Sequence, residues 1–356
     1  MLKKSNQAIR RYVLSKAILQ FKLKSKNKSK HKLTLFSNAN SIGILLNFIA
    51  FLFQRTLKIH LLKTAFTNFQ KNLESKQSYF LKLKEAFKLE LNTFGHSLEK
   101  INSKGPVIFY ANHPFSGMDA FALAAEIERF RPDIKVLAAS YLQHFPGFKA
   151  KSFIINVQDK VKFKAQNKKV YSAVNDHIRQ GKALLIFPAG DVSELSKNNS
   201  LYAMDPPWLE GFIRFGMQSV HTKFIPIFIQ GEPSKRYLNL RLKAKTLSNF
   251  YVLHEFANRI NRKMNFIAGK SIPLNDLEGL DIQEKIMYLR AKLYGLGSSY
   301  YKSLNGNKLI EEHCPKFPLL KQMESSLLQA VDAALLKREL APIYSKYKGN
   351  TQRYNQ

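Results

Sequence analysis

The sequence predicts an α/β fold, a mixed and largely parallel sheet flanked by helices and preceded by a basic amphipathic helical region. In the middle of the chain, short apolar runs alternate with longer helix-like stretches, a pattern typical of a sheet covered on both faces. With 356 residues, 45% of them hydrophobic, the chain can bury a sizeable core. We expect three parts: a basic amphipathic region over residues 1–73, a main domain over 74–300 and a helical tail over 301–356.

The strongest bulk property is charge. Lys and Arg number 57 against 25 Asp and Glu, giving a formal net charge of +32, which predicts attraction to a nucleic acid or to an anionic membrane surface. The simpler alternative is that the basic composition comes from compositional drift towards AT-rich coding. The distribution argues that drift is not the whole cause, because no acidic residue precedes Glu74 while basic residues recur from Lys3 to Lys71.

Three segments of the first part carry this charge or border it. Residues 1–21 form a basic amphipathic segment without the features of a secretory signal. Residues 22–32 alternate lysine with polar residues and predict a solvated tether, with a nucleic-acid arm as the alternative. Residues 41–53 are the most apolar run, but they are short for a membrane span and follow helical spacing. That helix either lies in a bilayer interface or packs on the main domain.

The main domain opens after a polar helical connector at 64–84. Its predicted strands share short apolar or alternating patterns: 87–93, 106–111, 134–139, 153–157, 183–187, 223–230 and 265–270. Its predicted helices begin at Asp119 and cover 165–180, 209–220, 235–264 and 282–296, with a further helix at 319–337 in the tail. Pro226 places its strand at a sheet edge or at an irregularity, because proline cannot donate a ladder hydrogen bond.

A histidine and an aspartate flank the turn after the second strand. The strand 106–111 stops just before His113, and Asp119 is an N-cap-type residue that opens the next helix. Pro114 and Gly117 suit a turn that would bring the two side chains together. A carboxylate bound to one imidazole nitrogen fixes the tautomer and makes the other nitrogen a general base. A structural hydrogen bond, or coincidence, is the plainer alternative.

A second motif comes after the strand 183–187. Ligands of α/β sheets bind at the carboxyl ends of strands, so residues 187–193 and His113 are expected to converge on one edge. Gly190 would let the backbone approach a ligand closely, and Asp191 with Ser193 could cap the next element of the chain. An ordinary strand-to-loop turn explains the same residues.

Several ordered blocks together resemble the lysophospholipid (glycerolipid) acyltransferase superfamily, in particular its bacterial haemolysin-related branch, which includes acyltransferases that make amino-acid-containing lipids. The similarity covers roughly residues 87–297. The blocks are Asn112-His113-Pro114 with Asp119, then Phe187-Pro188-Ala189-Gly190-Asp191-Val192-Ser193, then Asp205-Pro206-Pro207-Trp208, and then Phe224-Ile225-Pro226-Ile227-Phe228.

The resemblance implies an O-acyltransferase in which His113 deprotonates a lysolipid hydroxyl and Asp119 orients the imidazole, with no acyl-enzyme. It implies an acceptor-binding loop at 187–193. Ala189 and Val192 stand there in place of the glutamate and arginine of the lysophosphatidic acid type, which argues against that acceptor. The residues expected to bind substrate are Asn112, Ser116, Gly117, Phe187, Pro188, Ala189, Gly190, Asp191, Ser193, Trp208 and Pro226. Trp208 suits a structural plug better than a wall of the site.

The expected partners are an anionic membrane surface, a lysolipid acceptor and a donor that is acyl-CoA or acyl carrier protein, with no other cofactor. We expect the protein at the cytoplasmic face of the inner membrane, peripheral or monotopic. The single cysteine, Cys314, suits a reducing compartment, and no His/Cys cluster has metal-ligand spacing, so no metal is expected.

Three alternatives remain open at this stage. The basic stretch 235–264 is either a solvated face or a cradle for headgroups or acyl-carrier phosphates. A non-catalytic nucleic-acid-binding protein is the main rival function, although no recognised nucleic-acid motif is present. A membrane-lytic protein is the weaker rival, because nothing in the chain resembles a pore-forming barrel or a set of spans.

Overall fold

The computed structural model describes residues 58–72, 77–98, 104–156, 163–196, 199–243 and 245–305. The predicted amphipathic segment at 1–21, the lysine-rich tether at 22–32, the apolar helix at 41–53 and the tail helix at 319–337 lie outside the described residues. The division of the chain at residues 73 and 300 stays a prediction.

The described part is built on an eight-stranded sheet. In chain order its strands are β1 Glu90–Gly95, β2 Val107–Ala111, β3 Lys135–Ala139, β4 Ser152–Ile155, β5 Ala183–Ile186, β8 Lys223–Ile229, β9 Lys263–Ala268 and β10 Ile272–Pro273; β6 Glu194–Ser196 and β7 Asn199–Met204 form a separate antiparallel hairpin. The spatial order is β1-β9-β8-β2-β5-β3-β4, with β10 paired to β8. Only the β8–β9 and β8–β10 pairs are antiparallel in this sheet, so the predicted mixed, largely parallel sheet is confirmed.

Helices cover both faces of the sheet. They are α1 Ile59–Lys71, α2 Tyr79–Ala86, α3 Met118–Glu128, α4 Lys164–Arg179, α5 Gly211–Gly216, α6 Lys235–Lys243, α7 Lys245–Ala257 and α8 Ile282–Asn305. Short 3-10 helices lie at Ser140–His144, Phe148–Lys151 and Leu274–Leu277. The predicted α/β class is therefore confirmed, although the helix predicted at 209–220 is shorter and the one predicted at 235–264 is two helices followed by β9.

The central strand β2 divides the core into two layers. Because side chains alternate along a strand, Phe109 packs into one cluster with α1, α2, α3 and α7, whereas Tyr110 packs into the other with α4, α5 and α8. Every residue of β2 is buried, as its continuous apolar pattern predicts. Burial of a Val, Ile or Phe side chain stabilises the fold by roughly 1.5–3 kcal/mol, so these residues of β2 hold the strand in a fixed position at the centre of the sheet.

One expectation from the sequence is wrong, and another is decided between its two alternatives. The segment 64–84 is not a polar connector, because Phe69 and Phe80 are completely buried and both contact the Tyr79 ring edge-on. Pro226 is not on an edge strand, since β8 lies between β2 and β9. It occupies an irregularity instead: β8 pairs with β10 before Pro226 and with β9 after it, so the ladder needs no N–H there.

Candidate active site

The turn between β2 and α3 brings His113 and Asp119 together at the carboxyl edge of the sheet. The Nδ1 atom of His113 lies 2.9 Å from Oδ2 of Asp119. The carboxylate is fully buried, whereas the imidazole keeps 12% of its surface accessible. Since an ionised carboxylate only accepts hydrogen bonds, Nδ1 carries the proton and Nε2 is the basic nitrogen.

Three backbone N–H groups hold the Asp119 carboxylate. Phe115 donates to Oδ2 at 2.8 Å, while Gly117 and Ala120 donate to Oδ1 at 2.9 and 3.0 Å. The carboxylate also lies in the first turn of α3, where the helix dipole favours a negative charge. Asp119 is not the N-cap that the sequence predicted, because Gly117 occupies that position. The carboxylate is instead held by backbone N–H groups of the turn between β2 and α3, and it binds the His113 imidazole.

The turn closes through two consecutive residues in the left-handed region. Ser116 has φ 57° and Gly117 has φ 98°, so Gly117 has the turn role that the sequence assigned to it. The Ser116 hydroxyl is buried without a hydrogen-bond partner. A non-glycine residue in this region and an unpaired buried hydroxyl both cost free energy, so the turn is strained where it carries the site.

The main chain of His113 is fixed from two sides. Its N–H donates to Oδ1 of Asp205 at 3.0 Å, and its carbonyl accepts the N–H of Ser193 at 3.0 Å. Next to it, the Asn112 side chain bridges two strand ends, donating to the Ile229 carbonyl at 2.9 Å and accepting the Ile229 N–H at 2.7 Å. Asn112 therefore joins β2 to β8 directly beneath the histidine.

The loop at 187–193 does converge on this edge. The Phe187 ring centre is 4.4 Å from that of His113, with 36° between the ring planes. Gly190 has φ 64° and donates to the Phe187 carbonyl at 2.9 Å, and the Pro188 carbonyl accepts the Leu209 N–H at 3.0 Å. Ala189 is buried in the layer that contains Tyr110.

Asp191 and Ser193 do not cap a helix, because the strand β6 comes directly after them. Asp191 pairs with Arg241 of α6, whose Nε also donates to Glu194 at 2.6 Å. The Ser193 hydroxyl donates to Asp205 at 2.7 Å. Both residues therefore fasten the loop to its surroundings, Asp191 through a partly exposed ion pair and Ser193 through a buried hydrogen bond.

Two residues expected at the site lie in the protein interior. Trp208 is buried against the rings of Tyr110 and Phe212, so it fills the core layer that contains Tyr110, on the side of α4, α5 and α8. Pro226 lies in the middle of β8, and its ring packs against the backbone of Gly269. The contact is so close that a Cβ at Gly269 would come within 2.7 Å of the proline ring. Trp208 lies in the loop between β7 and α5, and Pro226 lies within β8, opposite Tyr110.

The charges around His113 favour its protonated form. Burial alone lowers the pKa of the imidazole, but the charge and hydrogen bond of Asp119 raise it, and the charges of Asp205 and Asp191 add to this effect. The net result is a pKa above the ordinary value for histidine. Such a group is a stronger base, and once it has taken a proton the surrounding carboxylates stabilise the imidazolium.

The sequence signals did not identify three residues of this region. In the sequence, Asp205 stands out only as part of a motif, and Arg241 and Arg259 only as members of a basic stretch. The Arg259 guanidinium lies 3.5 Å from the Phe115 ring centre, and its Nη2 donates to the Glu232 carbonyl at 2.9 Å. The isolated position of Asp205 in an otherwise apolar motif was the one available signal, because a buried aspartate needs dedicated partners.

Among the described residues, no group of three His, Cys, Asp or Glu side chains is arranged to hold a metal ion. The helices of the described ranges include none that is long and apolar enough to span a bilayer.

Comparison with known proteins gives similarities of both sequence and structure. A family model described as Acyltransferase matches residues 68–300. A lyso-glycine lipid O-acyltransferase of Phocaeicola vulgatus is 22% identical over 183 residues, which are 49% of this chain and 62% of that protein. The crystal structure of the 1-acyl-sn-glycerophosphate acyltransferase PlsC from Thermotoga maritima is 14% identical, with a TM-score of 0.38 over 82% of this chain and 97% of that one.

The matched segment contains the whole site, from the strands before His113 to the helix that comes after β10. It also covers well over half of the chain, as the ordered motifs of the sequence predict. The family match confirms the predicted resemblance, and the chain therefore belongs to the acyltransferase family.

Proposed function

We propose that this chain transfers a fatty acyl group from an acyl thioester to the hydroxyl of a lysolipid. The observation that carries the proposal is the pairing of His113 with the fully buried Asp119 at the carboxyl edge of the sheet. This pair has the composition of a general base. Membership of the acyltransferase family supports the class of reaction.

In the proposed mechanism, Nε2 of His113 takes the proton of the acceptor hydroxyl while the hydroxyl oxygen attacks the thioester carbonyl carbon. A C–O bond forms, and the carbonyl electrons move to the oxygen of a tetrahedral intermediate. Collapse of this intermediate breaks the C–S bond, and the leaving thiolate takes the proton back from His113. Asp119 remains ionised and stabilises the imidazolium throughout. No acyl-enzyme forms, because the acceptor attacks the donor directly.

For the acceptor we propose a lyso-amino-acid lipid, with a lysophospholipid as the second candidate. The similarity to the lyso-glycine lipid O-acyltransferase supports this choice. The loop supports it too, because Ala189 and Val192 offer no charged side chain to a phosphate and both are buried. As co-substrate we propose acyl-CoA or acyl carrier protein, with no other cofactor.

We propose further that the protein works at the cytoplasmic face of the inner membrane, held there peripherally by its positive charge. A net charge of +32 favours adsorption to anionic headgroups, each lysine or arginine near the surface contributing about 1 kcal/mol. The rival function, nucleic-acid binding, does not require the paired His113 and Asp119.

The test is a transfer assay with the purified full-length chain. Lyso-glycine lipid, a second lyso-amino-acid lipid, lysophosphatidic acid and a lysophosphatidylethanolamine are each offered in anionic vesicles with acyl-CoA or acyl carrier protein thioester. Mass spectrometry should show a diacylated product that is formed fastest from a lyso-amino-acid lipid. Absence of product from every combination, together with tight binding to RNA or DNA but not to vesicles, would favour the rival.

A further inference from the structure

Asp205 lies directly behind the histidine and is 2% exposed. It comes after the hairpin β6–β7, and its side chain accepts three hydrogen bonds. Oδ1 accepts the His113 N–H at 3.0 Å and the Ser193 hydroxyl at 2.7 Å, and Oδ2 accepts the Trp208 indole N–H at 3.3 Å. One carboxylate therefore joins the turn after β2, the loop at 187–193 and the core layer that contains Trp208.

Helix α8 fixes the main chain of Asp205. The Arg290 guanidinium donates to the Asp205 carbonyl at 2.6 Å and to the Pro206 carbonyl at 2.8 Å, and the Tyr294 hydroxyl accepts the Asp205 N–H at 2.9 Å. Arg290 is itself buried and lies within 5.6 Å of the Trp208 ring. The main chain of Asp205 is thus held by a long helix of the core.

A buried carboxylate has a high desolvation cost at such a position. Burial raises the pKa of Asp205, and this effect exceeds the opposing effects of Arg290, of its hydrogen bonds and of His113. A neutral acceptor could receive the His113 N–H at a lower desolvation cost. What the neutral acceptor lacks is a negative charge next to an imidazole that must become positive during the reaction.

We propose that Asp205 is a positioning residue of the acyl transfer, which fixes the main chain of His113 and places a second carboxylate charge behind the imidazolium. This inference rests on the proposed function. The two carboxylates then act differently, because Asp119 binds the imidazole itself whereas Asp205 binds the backbone that carries it. Asp205 touches no reacting atom, so it should affect turnover more than substrate affinity.

The test must remove the charge of Asp205 without unfolding the site. Asp205→Asn alone would turn an amide N–H towards the Trp208 indole N–H, setting two donors against each other. Asp205→Asn combined with Trp208→Phe relieves that clash and is compared with Trp208→Phe alone. The matched control is Asp276→Asn, the same chemical change at an exposed position. Thermal melting verifies that each variant is folded.

Charged groups around His113 must be considered when its titration is interpreted. They are Asp119 on α3, Asp191 with its partner Arg241, Asp205 with its neighbour Arg290, and Arg259, which interacts with Asp119. Only Asp205 changes in the comparison with Trp208→Phe. The titration is followed by NMR of labelled histidine rings, and the His113 signal, one of nine histidine signals, is identified by its loss in His113→Gln.

We expect the double variant to show a lower His113 pKa than Trp208→Phe, so the acid limb of kcat moves to lower pH. We expect kcat to fall about tenfold with KM unchanged. A tenfold loss corresponds to about one hydrogen bond to a charged group. Asp276→Asn should match wild type. Tyr294→Phe, which leaves the charge but loosens the Asp205 main chain, should lower kcat without moving the acid limb.

A folded double variant with the histidine pKa and kcat of Trp208→Phe would overturn the inference. If the double variant does not fold, a wild-type kcat in Tyr294→Phe would overturn it as well. Failure of the proposed function gives a different result: the wild-type chain then transfers no acyl group to any acceptor, while the NMR titration still shows whether Asp205 acts on His113.

Discussion

The guanidinium of Arg259 lies 3.5 Å from the ring centre of Phe115, against the turn that carries both His113 and Asp119. Phe115 is buried and its backbone N–H holds the Asp119 carboxylate at 2.8 Å. Arg259 in turn donates to the Glu232 carbonyl, beyond the end of β8. Arg259 therefore connects the turn to a second strand end, although it contacts neither of the two paired side chains through a hydrogen bond.

From this relationship we predict that Arg259→Met lowers both stability and turnover. Loss of the cation–π contact should cost roughly 0.5–2 kcal/mol, and a less well-held Phe115 should reduce kcat several-fold. Arg236→Met, at an exposed position of α6, removes the same charge and is the matched control. Equal melting temperatures and equal kcat for the two variants would refute the prediction.

Asp119→Asn should reduce turnover strongly and should also lower stability. The amide oxygen can replace only one of the two carboxylate oxygens, so the NH2 group opposes either the Phe115 N–H or those of Gly117 and Ala120. The change also removes the charge that stabilises the imidazolium. We expect kcat to fall by about 10²-fold or more, within the range of general acid–base catalysis.

The readout is steady-state kinetics with the best acceptor, alongside a melting curve. Asp133→Asn is unsuitable as a control because Asp133 pairs with the buried Arg131, so Asp176→Asn at an exposed position of α4 serves instead. A variant Asp119→Asn with kcat close to that of Asp176→Asn would contradict the assigned role.

The pH dependence of turnover should report the histidine. The His113 pKa lies above its ordinary value of about 6.5, because the raising effects of Asp119, Asp205 and Asp191 exceed the lowering effect of burial. A general base works in its neutral form, so kcat should rise with pH, with a midpoint above that value.

The same pKa direction has a consequence for folding. A raised pKa in the folded state means that His113 contributes stability below the pKa of the unfolded chain, and this contribution is lost as pH rises through the folded-state value. The stability difference between wild type and His113→Gln should therefore be larger in mild acid than in mild alkali. Denaturant melts at several pH values measure it, and the reverse trend would show that the pKa is lowered.

Ser116→Gly should stabilise the protein. Ser116 has φ 57°, a conformation that costs a non-glycine residue roughly 1–2 kcal/mol, and its buried hydroxyl has no partner. Glycine removes both costs but adds about 0.5–1 kcal/mol of chain entropy to be lost on folding. We expect a net gain of about 1 kcal/mol, seen as a higher melting temperature. A lower melting temperature would mean that the hydroxyl has a structural role.

Much of the architecture and the central pair could be predicted from local patterns. The all-apolar run before His113 predicted a buried strand because only a central strand of a covered sheet is apolar on both faces. The convergence of His113 with the loop at 187–193 was expected from the rule that parallel strands end at the same edge, and the contact between Phe187 and His113 agrees with it.

The rest depends on long-range contacts that no local pattern contains. Asp205 meets His113 across 92 positions of the chain, and Arg241 meets Asp191 across 50. The irregularity at Pro226 depends on which strands flank β8, which the sequence does not state. The segment 64–84 has a polar pattern along the chain, yet folding turns Phe69 and Phe80 inward together.

The most direct measurement is the lipid composition of the native host carrying wild-type, His113→Gln or His221→Gln copies at the chromosomal position. His221 is exposed and makes the matched control for loss of a histidine. We predict that one diacylated lipid class disappears and its lysolipid accumulates in His113→Gln and in a deletion strain, but not in His221→Gln. Unchanged lipids in His113→Gln, with the deletion strain altered and the variant folded, would contradict the role of His113 as general base.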